Sequence, residues 1–394
     1  MAEHQEQITI LYVVNQLSSV GGVEKIVLDK ADWLIRLGYR VLIVATEEDL
    51  CSRQLFFQYN PEIQFCRNLY KTLSHTRVDI VMFTRPMFRE MALCRLRFPF
   101  VKYMLELHAC YEIFNYGESY FETFVPQPDV SFRQMCDWLF PYLVAVIIVS
   151  SKNDDIKKWG YDNVKCIYNF TYLQRAEKTH TDKRENVVIA VGRYTAQKGF
   201  PYLIRAWKYV AQQFPNWHLE IWGDGEEKKK MLALIKQQGL QNTIHLMGFS
   251  TDLHSQYCRA SLFVMSSLYE GFGIVLVEAQ ACGLPTVAFN LPSGPSDIIN
   301  DGIDGYLCKY LDEKDLAEKL MLLMSNPNLR TQMSEAALNN ARRFTPGVIM
   351  PQWDELFKEA IITPSHQPLK AWFDALRVLV KYLKSDLKKC LFHH

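Results

Sequence analysis

The sequence lacks an excess of charge of either sign, long apolar runs and closely spaced cysteines. Its 44 lysines and arginines are matched by 43 aspartates and glutamates, which argues against a nucleic-acid-binding protein because such proteins carry a basic excess. The longest apolar run, residues 143–149, has only the length of a buried strand, and the first residues lack the basic region of a signal peptide. We therefore expect no membrane-spanning segment. The ten cysteines are scattered singly, which is typical of reduced thiols in a cytosolic protein.

The length of 394 residues and the 49% apolar content predict two globular domains. Short β-branched segments alternate with amphipathic helical patterns, which is typical of parallel sheets covered by helices. A polar stretch, residues 174–186, separates the two halves. The predicted fold class is α/β, with two doubly wound sheets and the chemistry in the loops after the strands. The predicted strands are residues 8–14, 40–45, 78–83, 101–107, 144–149, 164–168, 187–192, 218–222, 243–247, 262–265, 285–289 and 306–309.

Glycine-rich turns follow two predicted strands. Gly21 and Gly22 stand between the first strand and a helix, where backbone N–H groups can approach an anion. A plain tight turn is the alternative, because the pattern lacks the third glycine of a dinucleotide fingerprint and the Gly-Lys-Ser/Thr of a Walker loop. Gly223 and Gly225 form a second turn, which suits close packing of a base or ribose.

Two cations follow the strand at residues 187–192. Arg193 comes directly after it, and Lys198 lies five residues further, where the next helix begins. An arginine fork and a lysine point charge suit a diphosphate. Two solvated surface cations are the alternative interpretation.

The most specific feature is a pair of glutamates separated by seven residues. Glu270 precedes the glycine-rich turn at residues 271–273, and Glu278 falls in the otherwise apolar helix that follows. Burial of the Glu278 carboxylate without partners would cost several kcal/mol, so we expect hydrogen bonds from groups such as sugar hydroxyls. A salt bridge for Glu278 and a helix-capping role for Glu270 are the alternatives.

These features occur in the order that is typical of one enzyme family. The glycine turns, the two cations, the glutamate pair and the segment Gly-Leu-Pro-Thr-Val-Ala at residues 283–288 resemble the retaining GT-B glycosyltransferases of family four. The resemblance is strong over residues 186–344 and diffuse before residue 169. It implies two Rossmann-like domains that face each other across a cleft. The predicted segments are an acceptor-binding domain (1–170), a linker (171–186), a nucleotide-sugar-binding domain (187–344), a return helix (345–362) and, beyond the resemblance, a basic amphipathic tail (365–394).

The resemblance also implies roles for individual residues. Arg193 and Lys198 would neutralise the donor diphosphate. Glu278 would accept hydrogen bonds from the ribose, and Glu270 would hold donor-sugar hydroxyls beneath the anomeric carbon. His108, at the end of a predicted strand, matches the family's N-domain histidine that reaches the donor sugar, with a structural histidine as the alternative. Further donor contacts would come from Gly21, Gly22, Gly223, Phe272, Gly273, Ile274 and Val275.

The implied reaction retains the anomeric configuration. In a front-face attack assisted by the leaving group, the diphosphate accepts the acceptor's proton, so no dedicated base is needed. We expect no cofactor and no metal, since the cation pair makes a divalent ion dispensable and the sequence contains no Asp-x-Asp motif. The predicted partners are a nucleotide-sugar donor, for which a UDP-sugar is the commonest choice in this family, and a saccharide or lipid-linked saccharide acceptor for surface polysaccharide or oligosaccharide synthesis.

The C-terminal tail concentrates the positive charge of the chain. Residues 365–394 carry a net charge of +4, and the remainder carries −3. Apolar residues recur every three or four positions beside lysines and arginines, which is typical of a helix at an anionic membrane surface; packing against the first domain is the alternative. We expect a cytoplasmic enzyme, peripheral on the inner face of the membrane if the tail binds lipid. A nucleotide-sugar epimerase and a non-catalytic nucleotide-sugar-binding protein remain the alternative functions.

Overall fold

The chain folds into two units, each with its own sheet and core. The computed structural model describes residues 7–15, 17, 22–45, 57–108, 131–150, 160–173, 184–363 and 369–392. The first unit comprises Met1–Val149, Asp154–Ile167 and Met350–His394, and the second comprises Ser150–Asn153 and Tyr168–Ile349. The first unit is therefore assembled from both ends of the chain. Most of the predicted linker, residues 174–183, lies outside the described residues.

The first unit contains a parallel sheet whose order in space is β3-β2-β1-β4-β5-β6-β7. Its central strands are buried and apolar, as a sheet covered on both faces requires. Sequence reasoning missed β3, a short strand at the edge of the sheet. The strands are β1 (Thr9–Val13), β2 (Arg40–Val44), β3 (Gln64–Cys66), β4 (Ile80–Phe83), β5 (Lys102–Leu107), β6 (Ala145–Ile148) and β7 (Val164–Cys166).

The second unit contains a parallel sheet of order β10-β9-β8-β11-β12-β13. Every predicted strand of this half is present, with ends that differ by one residue at most. The two parallel α/β sheets confirm the predicted fold class. The strands are β8 (Val187–Val191), β9 (His218–Trp222), β10 (Ile244–Gly248), β11 (Leu262–Met265), β12 (Thr286–Phe289) and β13 (Gly305–Cys308).

Helices connect the strands, as parallel neighbours require. None of the described helices combines the length and the apolarity that crossing a bilayer demands. They are α1 (Gly22–Arg36), α2 (Leu69–His75), α3 (Phe88–Arg97), α4 (Phe132–Leu139), α5 (Phe200–Gln213), α6 (Lys228–Gln237), α7 (Leu253–Arg259), α8 (Ile274–Ala281), α9 (Pro295–Ile298), α10 (Glu313–Ser325), α11 (Pro327–Ala341), α12 (Pro346–Ile362) and α13 (Leu369–Phe392).

In each sheet, the order of the strands reverses once. In open parallel sheets, ligands bind at this reversal, beyond the carboxyl ends of the strands. In the second unit the reversal lies between β8 and β11. The loop after β8 carries Arg193 and Lys198, and the loop after β11 carries Glu270. Neighbouring parallel strands end at the same edge of the sheet, so the topology brings the predicted cations and carboxylate to one place.

The C-terminal helix α13 packs against α3 and α4 of the first unit. Ala371, Ala375 and Val378 are fully buried in that unit's core. The Tyr142 hydroxyl donates a hydrogen bond of 2.8 Å to Asp374, which also binds Arg377. The packing interpretation of the tail is therefore confirmed for one face of the helix, whereas other large apolar side chains between residues 369 and 383 are exposed.

Candidate active site

Lys198 and Glu270 meet at the reversal point of the second sheet. The Lys198 ammonium donates a hydrogen bond of 2.6 Å to Oε1 of Glu270. Their side chains are only 18% and 8% exposed. A charge-assisted contact in such a sheltered place is much stronger than one at the surface. Two residues that stand 72 positions apart thus form one charged unit.

The turn that carries Lys198 depends on a glycine. Residues 196–198 form a short 3-10 turn that ends at Gly199, whose φ of 59° lies in the left-handed region. A Cβ at this position would lie 2.1 Å from the Ser266 carbonyl oxygen. The Ser266 hydroxyl in turn donates a hydrogen bond of 2.9 Å to the Lys198 carbonyl. The loops after β8 and β11 are therefore packed backbone against backbone, which fixes the approach of Lys198 to Glu270.

Both the carboxylate and the backbone carbonyl of Glu270 accept hydrogen bonds from serine hydroxyls. The Ser267 hydroxyl donates a hydrogen bond of 2.7 Å to the same carboxylate oxygen that Lys198 contacts. The Ser293 hydroxyl donates one of 2.7 Å to the Glu270 carbonyl. Sequence reasoning identified the glutamate but missed both serines, although Ser267 belongs to the motif itself. The helix-capping alternative for Glu270 receives no support, because its carboxylate accepts hydrogen bonds from the Lys198 and Ser267 side chains.

The helix after this turn begins without a capping side chain. Gly273 is the N-cap of α8, with φ of 85° and no side-chain hydrogen bond to the first turn. The first N–H groups of a helix have no partner inside it, and with the helix dipole they attract anions. Ile274 and Val275 begin that turn and are half-buried. Phe272 is buried against Tyr168 and Phe344 and anchors the turn.

Glu278 lies deeper along α8, where it is 6% exposed. The Tyr257 hydroxyl of α7 donates a hydrogen bond of 3.3 Å to its Oε2. Burial raises the pKa of Tyr257, and the neighbouring Glu278 carboxylate raises it further, so this hydroxyl remains a donor. The tyrosine was not foreseen, because it precedes the glutamate by 21 residues on another helix.

The glycine turn after β9 packs onto the loop after β8. Gly223 has φ of 140°, and a Cβ there would lie 2.0 Å from the Gly192 carbonyl oxygen. The buried Tyr194 donates its hydroxyl to the Ile221 carbonyl at 2.7 Å. Arg193 lies between these contacts with its side chain exposed. The backbone around the arginine is therefore fixed while its side chain extends into solvent.

In the first unit, His108 follows β5 beside a buried ion pair. Lys30 and Glu106 contact each other with both side chains almost inaccessible, and the Lys30 ammonium lies 4.2 Å from the Trp353 ring centre. His108 Nε2 lies 3.2 Å from Glu106 Oε1. Burial lowers the pKa of His108 to about 4, with a further decrease from Lys30 and an opposing increase from Glu106. The imidazole is therefore neutral at pH 7.

Some polar atoms near His108 lack partners. Within the described residues, the Tyr12 hydroxyl and Glu106 Oε2 are buried without a hydrogen-bond partner, and His108 Nε2 lies near Glu106 Oε1 without forming a hydrogen bond. Such atoms cost free energy unless water or a ligand satisfies them. Sequence reasoning missed Lys30 and Glu106, since a lysine on a helix normally indicates a solvated face. Gly22 begins α1, and Gly21 lies outside the described residues.

One group of soft ligands lies on α7 and at the end of α8. The ligand atoms of His254, Cys258 and Cys282 all lie within 4.8 Å of one another. The sequence did not predict this cluster, because Cys282 follows Cys258 by 24 positions and lies outside α7. The seven described cysteines are free thiols.

Comparison with known proteins adds three findings. Residues 174–340 match the family model described as glycosyl transferases group 1. The chain is 36% identical to the amylovoran biosynthesis glycosyltransferase AmsD of Erwinia amylovora over 54% of its own length and 61% of AmsD, so it spans about three-fifths of that relative. An uncharacterized glycosyltransferase of Haemophilus influenzae is 26% identical, over 87% of this chain and 98% of its own.

A solved structure resembles most of the chain. Anabaena Alr3699/HepE in complex with UDP and glucose matches with a TM-score of 0.71 at 19% identity, covering 90% of this chain and 100% of HepE. This likeness shows that the fold is GT-B. The family match over residues 174–340 and the similarity to AmsD support a group 1 glycosyltransferase.

Proposed function

We propose that the protein is a retaining glycosyltransferase that moves a sugar from a nucleotide-diphosphate donor, a UDP-sugar, to a saccharide. The observation that carries the proposal is the sheltered Lys198–Glu270 pair. This pair and the N-terminus of α8, which has no capping side chain, both follow the strands between which the strand order of the second sheet reverses. Cation, carboxylate and helix N-terminus are the groups that a sugar diphosphate needs. The UDP and glucose in the HepE complex support the choice of donor.

The diphosphate is proposed to bind at the start of α8. The N–H groups around Gly273, Ile274 and Val275 would donate to its oxygens, because their own helix offers them no acceptor. The exposed Arg193 would close on the diphosphate from the other side. Lys198 would bridge a phosphate oxygen and Glu270, so that negative charge developing on the leaving group meets a fixed cation.

The two glutamates are proposed to bind different parts of the donor. Glu270, fixed by Ser267 and Ser293, would accept hydrogen bonds from sugar hydroxyls. Glu278, fixed by Tyr257, would accept them from the ribose. Gly223 would lie against the nucleoside, where a side chain has no room. Gly21, Gly22 and the neutral His108 are also proposed to contact the donor.

The reaction is proposed to proceed by front-face attack with retention of configuration. In that mechanism the leaving diphosphate takes the acceptor's proton, so neither glutamate has to act as a base. Positive charge from Lys198 and Arg193 would replace a divalent ion. If so, full turnover is expected in the presence of a chelator.

The acceptor is proposed to be a lipid-linked saccharide used in surface polysaccharide or oligosaccharide synthesis. The similarity to an enzyme of amylovoran biosynthesis supports a biosynthetic role. The exposed apolar and basic faces of α13 support a site of action at the cytoplasmic face of a membrane.

A donor panel tests the function. The protein is incubated with individual nucleotide sugars, with and without lipid-linked saccharide acceptors, and nucleoside diphosphate release is measured. Acceptor-dependent release of UDP is expected, with the α-configured product by NMR from an α-linked donor. Interconversion of sugars without an acceptor would indicate an epimerase, and binding without any turnover would indicate a non-catalytic protein.

A further inference from the structure

The helix α13 has three distinct sides. Ala371, Ala375 and Val378 point into the first unit and are fully buried. A second side carries large apolar residues that remain exposed, and a third carries cations. The exposed apolar residues are Leu369, Trp372, Phe373, Leu376, Val380 and Leu383, which we call the apolar stripe.

The apolar stripe is unusual for the surface of a soluble domain. Trp372 is 48% exposed, Phe373 is 55% exposed and Leu383 is 60% exposed. At 100° per residue, the stripe covers about a third of the helix circumference. Contiguous exposed apolar residues of this size indicate an interaction surface. The helix is already fixed to its own unit by the opposite side, so the stripe is not needed for that packing.

Cations line one edge of the stripe. Lys370, Arg377, Lys381 and Lys384 fall within about 60° of one another on the helix, and Lys370, Arg377 and Lys384 are exposed. Arg377 is additionally held by the buried Asp374 at 2.9 Å, which leaves most of its guanidinium in solvent. A row of cations beside an apolar surface is complementary to anionic headgroups above acyl chains.

A groove lies where the stripe meets the cations. Its apolar wall consists of Trp138 from α4 with Phe373, Leu376 and Val380 from α13. Arg377 and Lys381 complete the lining. The groove thus presents an apolar wall and two positive charges at the same place. These match the apolar chain and the anionic headgroup of a single amphiphile.

We propose that this groove seats an anionic phospholipid of a bilayer, with an acyl chain against the apolar wall and the headgroup phosphate between Arg377 and Lys381. The remainder of the apolar stripe enters the interface beside it. This inference rests on the proposed action at a membrane and identifies the partner and the contact surface. A protein partner or a second copy explains the apolar stripe equally well, but the row of cations favours an anionic surface.

Point variants test the proposal better than truncation. Removing α13 would also strip Ala371, Ala375 and Val378 from the core of the first unit, so a loss of binding would be ambiguous. The double variant Lys381→Gln with Lys384→Gln removes two charges from the row of cations. The double variant Phe373→Ser with Val380→Ser makes the apolar wall of the groove polar. Neither variant changes the buried side of α13. Matched controls on the exposed face of α6 are Lys229→Gln with Lys236→Gln, and Leu232→Ser.

Flotation with phosphatidylcholine–phosphatidylglycerol vesicles, and with phosphatidylcholine alone, measures the partition coefficient of the full chain. We expect binding to the anionic vesicles only. Each cation near an anionic surface increases the coefficient about fivefold, so the Lys381/Lys384 variant should bind about 25-fold more weakly. The Phe373/Val380 variant should lose at least about tenfold, and the α6 controls should bind like the wild type.

Three outcomes would overturn the proposal. They are equal binding to both kinds of vesicle, no effect of either α13 variant, and a dimer in light scattering that Phe373→Ser with Val380→Ser dissociates. Titration with UDP is measured in parallel. Unchanged UDP binding by the variants with lost vesicle binding supports the groove, whereas absence of UDP binding in the wild type would contradict the transferase and leave the vesicle result to stand independently.

Discussion

Replacing Glu270 by glutamine tests the Lys198–Glu270 pair most directly. The substitution preserves the shape of the side chain and the acceptor for the Ser267 hydroxyl, but it removes the charge that faces Lys198 at 2.6 Å. The Lys198 side chain is 18% exposed, so its ammonium would remain largely sheltered without a counter-charge. Stability and catalysis should therefore both respond.

The two effects have different expected sizes. Loss of one partner from a fully buried ion pair costs about 3–5 kcal/mol, and partial access of water to Lys198 reduces this to about 2–4 kcal/mol. For a unit of this size, that corresponds to a decrease in Tm of about 5–15 °C. Loss of one charge-stabilising contact in a transition state lowers kcat by about 100-fold or more.

Thermal unfolding measures the effect on stability, and UDP release measured well below the Tm gives the effect on turnover. Lys198→Met should lower stability and kcat by similar amounts. The double variant Glu270→Gln with Lys198→Met should regain most of the stability, because no charge is left without a partner, and should remain as inactive as the single variants.

A matched control is the Arg205–Glu313 pair in the same unit, which also has an N–O distance of 2.6 Å but is more exposed. Glu313→Gln should cost at most about 1 kcal/mol and leave turnover unchanged. Near-normal turnover of Glu270→Gln would refute the catalytic assignment. Strictly additive stability losses in the double variant would refute the coupling between Lys198 and Glu270.

Three further results are expected. Glu278→Ala should raise the donor KM about 10–100-fold in steady-state kinetics, whereas Tyr257→Phe should cost only about 1 kcal/mol in unfolding and a few-fold in KM. The pKa of His108 falls from 6.5 to about 4 on folding, so protonation favours the unfolded state. The free energy of unfolding should therefore be highest above pH 6.5 and should decrease by about 3 kcal/mol in total as the pH falls towards 4. His108→Asn should flatten this part of the pH–stability curve, and an unchanged curve would contradict the burial of the imidazole. Lys30→Met should destabilise the first unit by about 3–5 kcal/mol in denaturant unfolding, and adding Glu106→Gln should restore most of that loss; no restoration would show that the two charges are not coupled.

The sequence was informative where local pattern and topology agree. Runs of β-branched residues located the strands because a strand covered on both faces must be apolar throughout. The order of the strands then brings the loops with Lys198 and Glu270 together, since both strands end at the same edge of the sheet. The three-residue strand β3 has no such pattern, because Gln64 is exposed at the sheet edge.

Contacts between distant helices could not be predicted in this way. The partner of Glu278 is set by how α7 packs on α8, and no spacing in the sequence specifies Tyr257. In the tail, the periodic large apolar residues indicated a side that contacts a membrane or the first domain, but they did not identify the side that is buried. Alanines at positions 371 and 375 form that side instead, because small residues allow a helix to approach its neighbours closely although they contribute little to a hydrophobic pattern.

The discontinuity of the first unit has a consequence during protein synthesis. Residues 350–394 supply Trp353, which covers Lys30, and the buried side of α13. At about 5–20 residues per second, the ribosome needs about 9–36 s to make the 182 residues from Tyr168 to Ile349 that precede the C-terminal segment of this unit. During that interval the nascent N-terminal segment presents an uncovered helix layer and a lysine–glutamate pair open to water. The second unit, almost continuous in sequence, can finish folding first, so the polypeptide that emerges earliest is the last to become native.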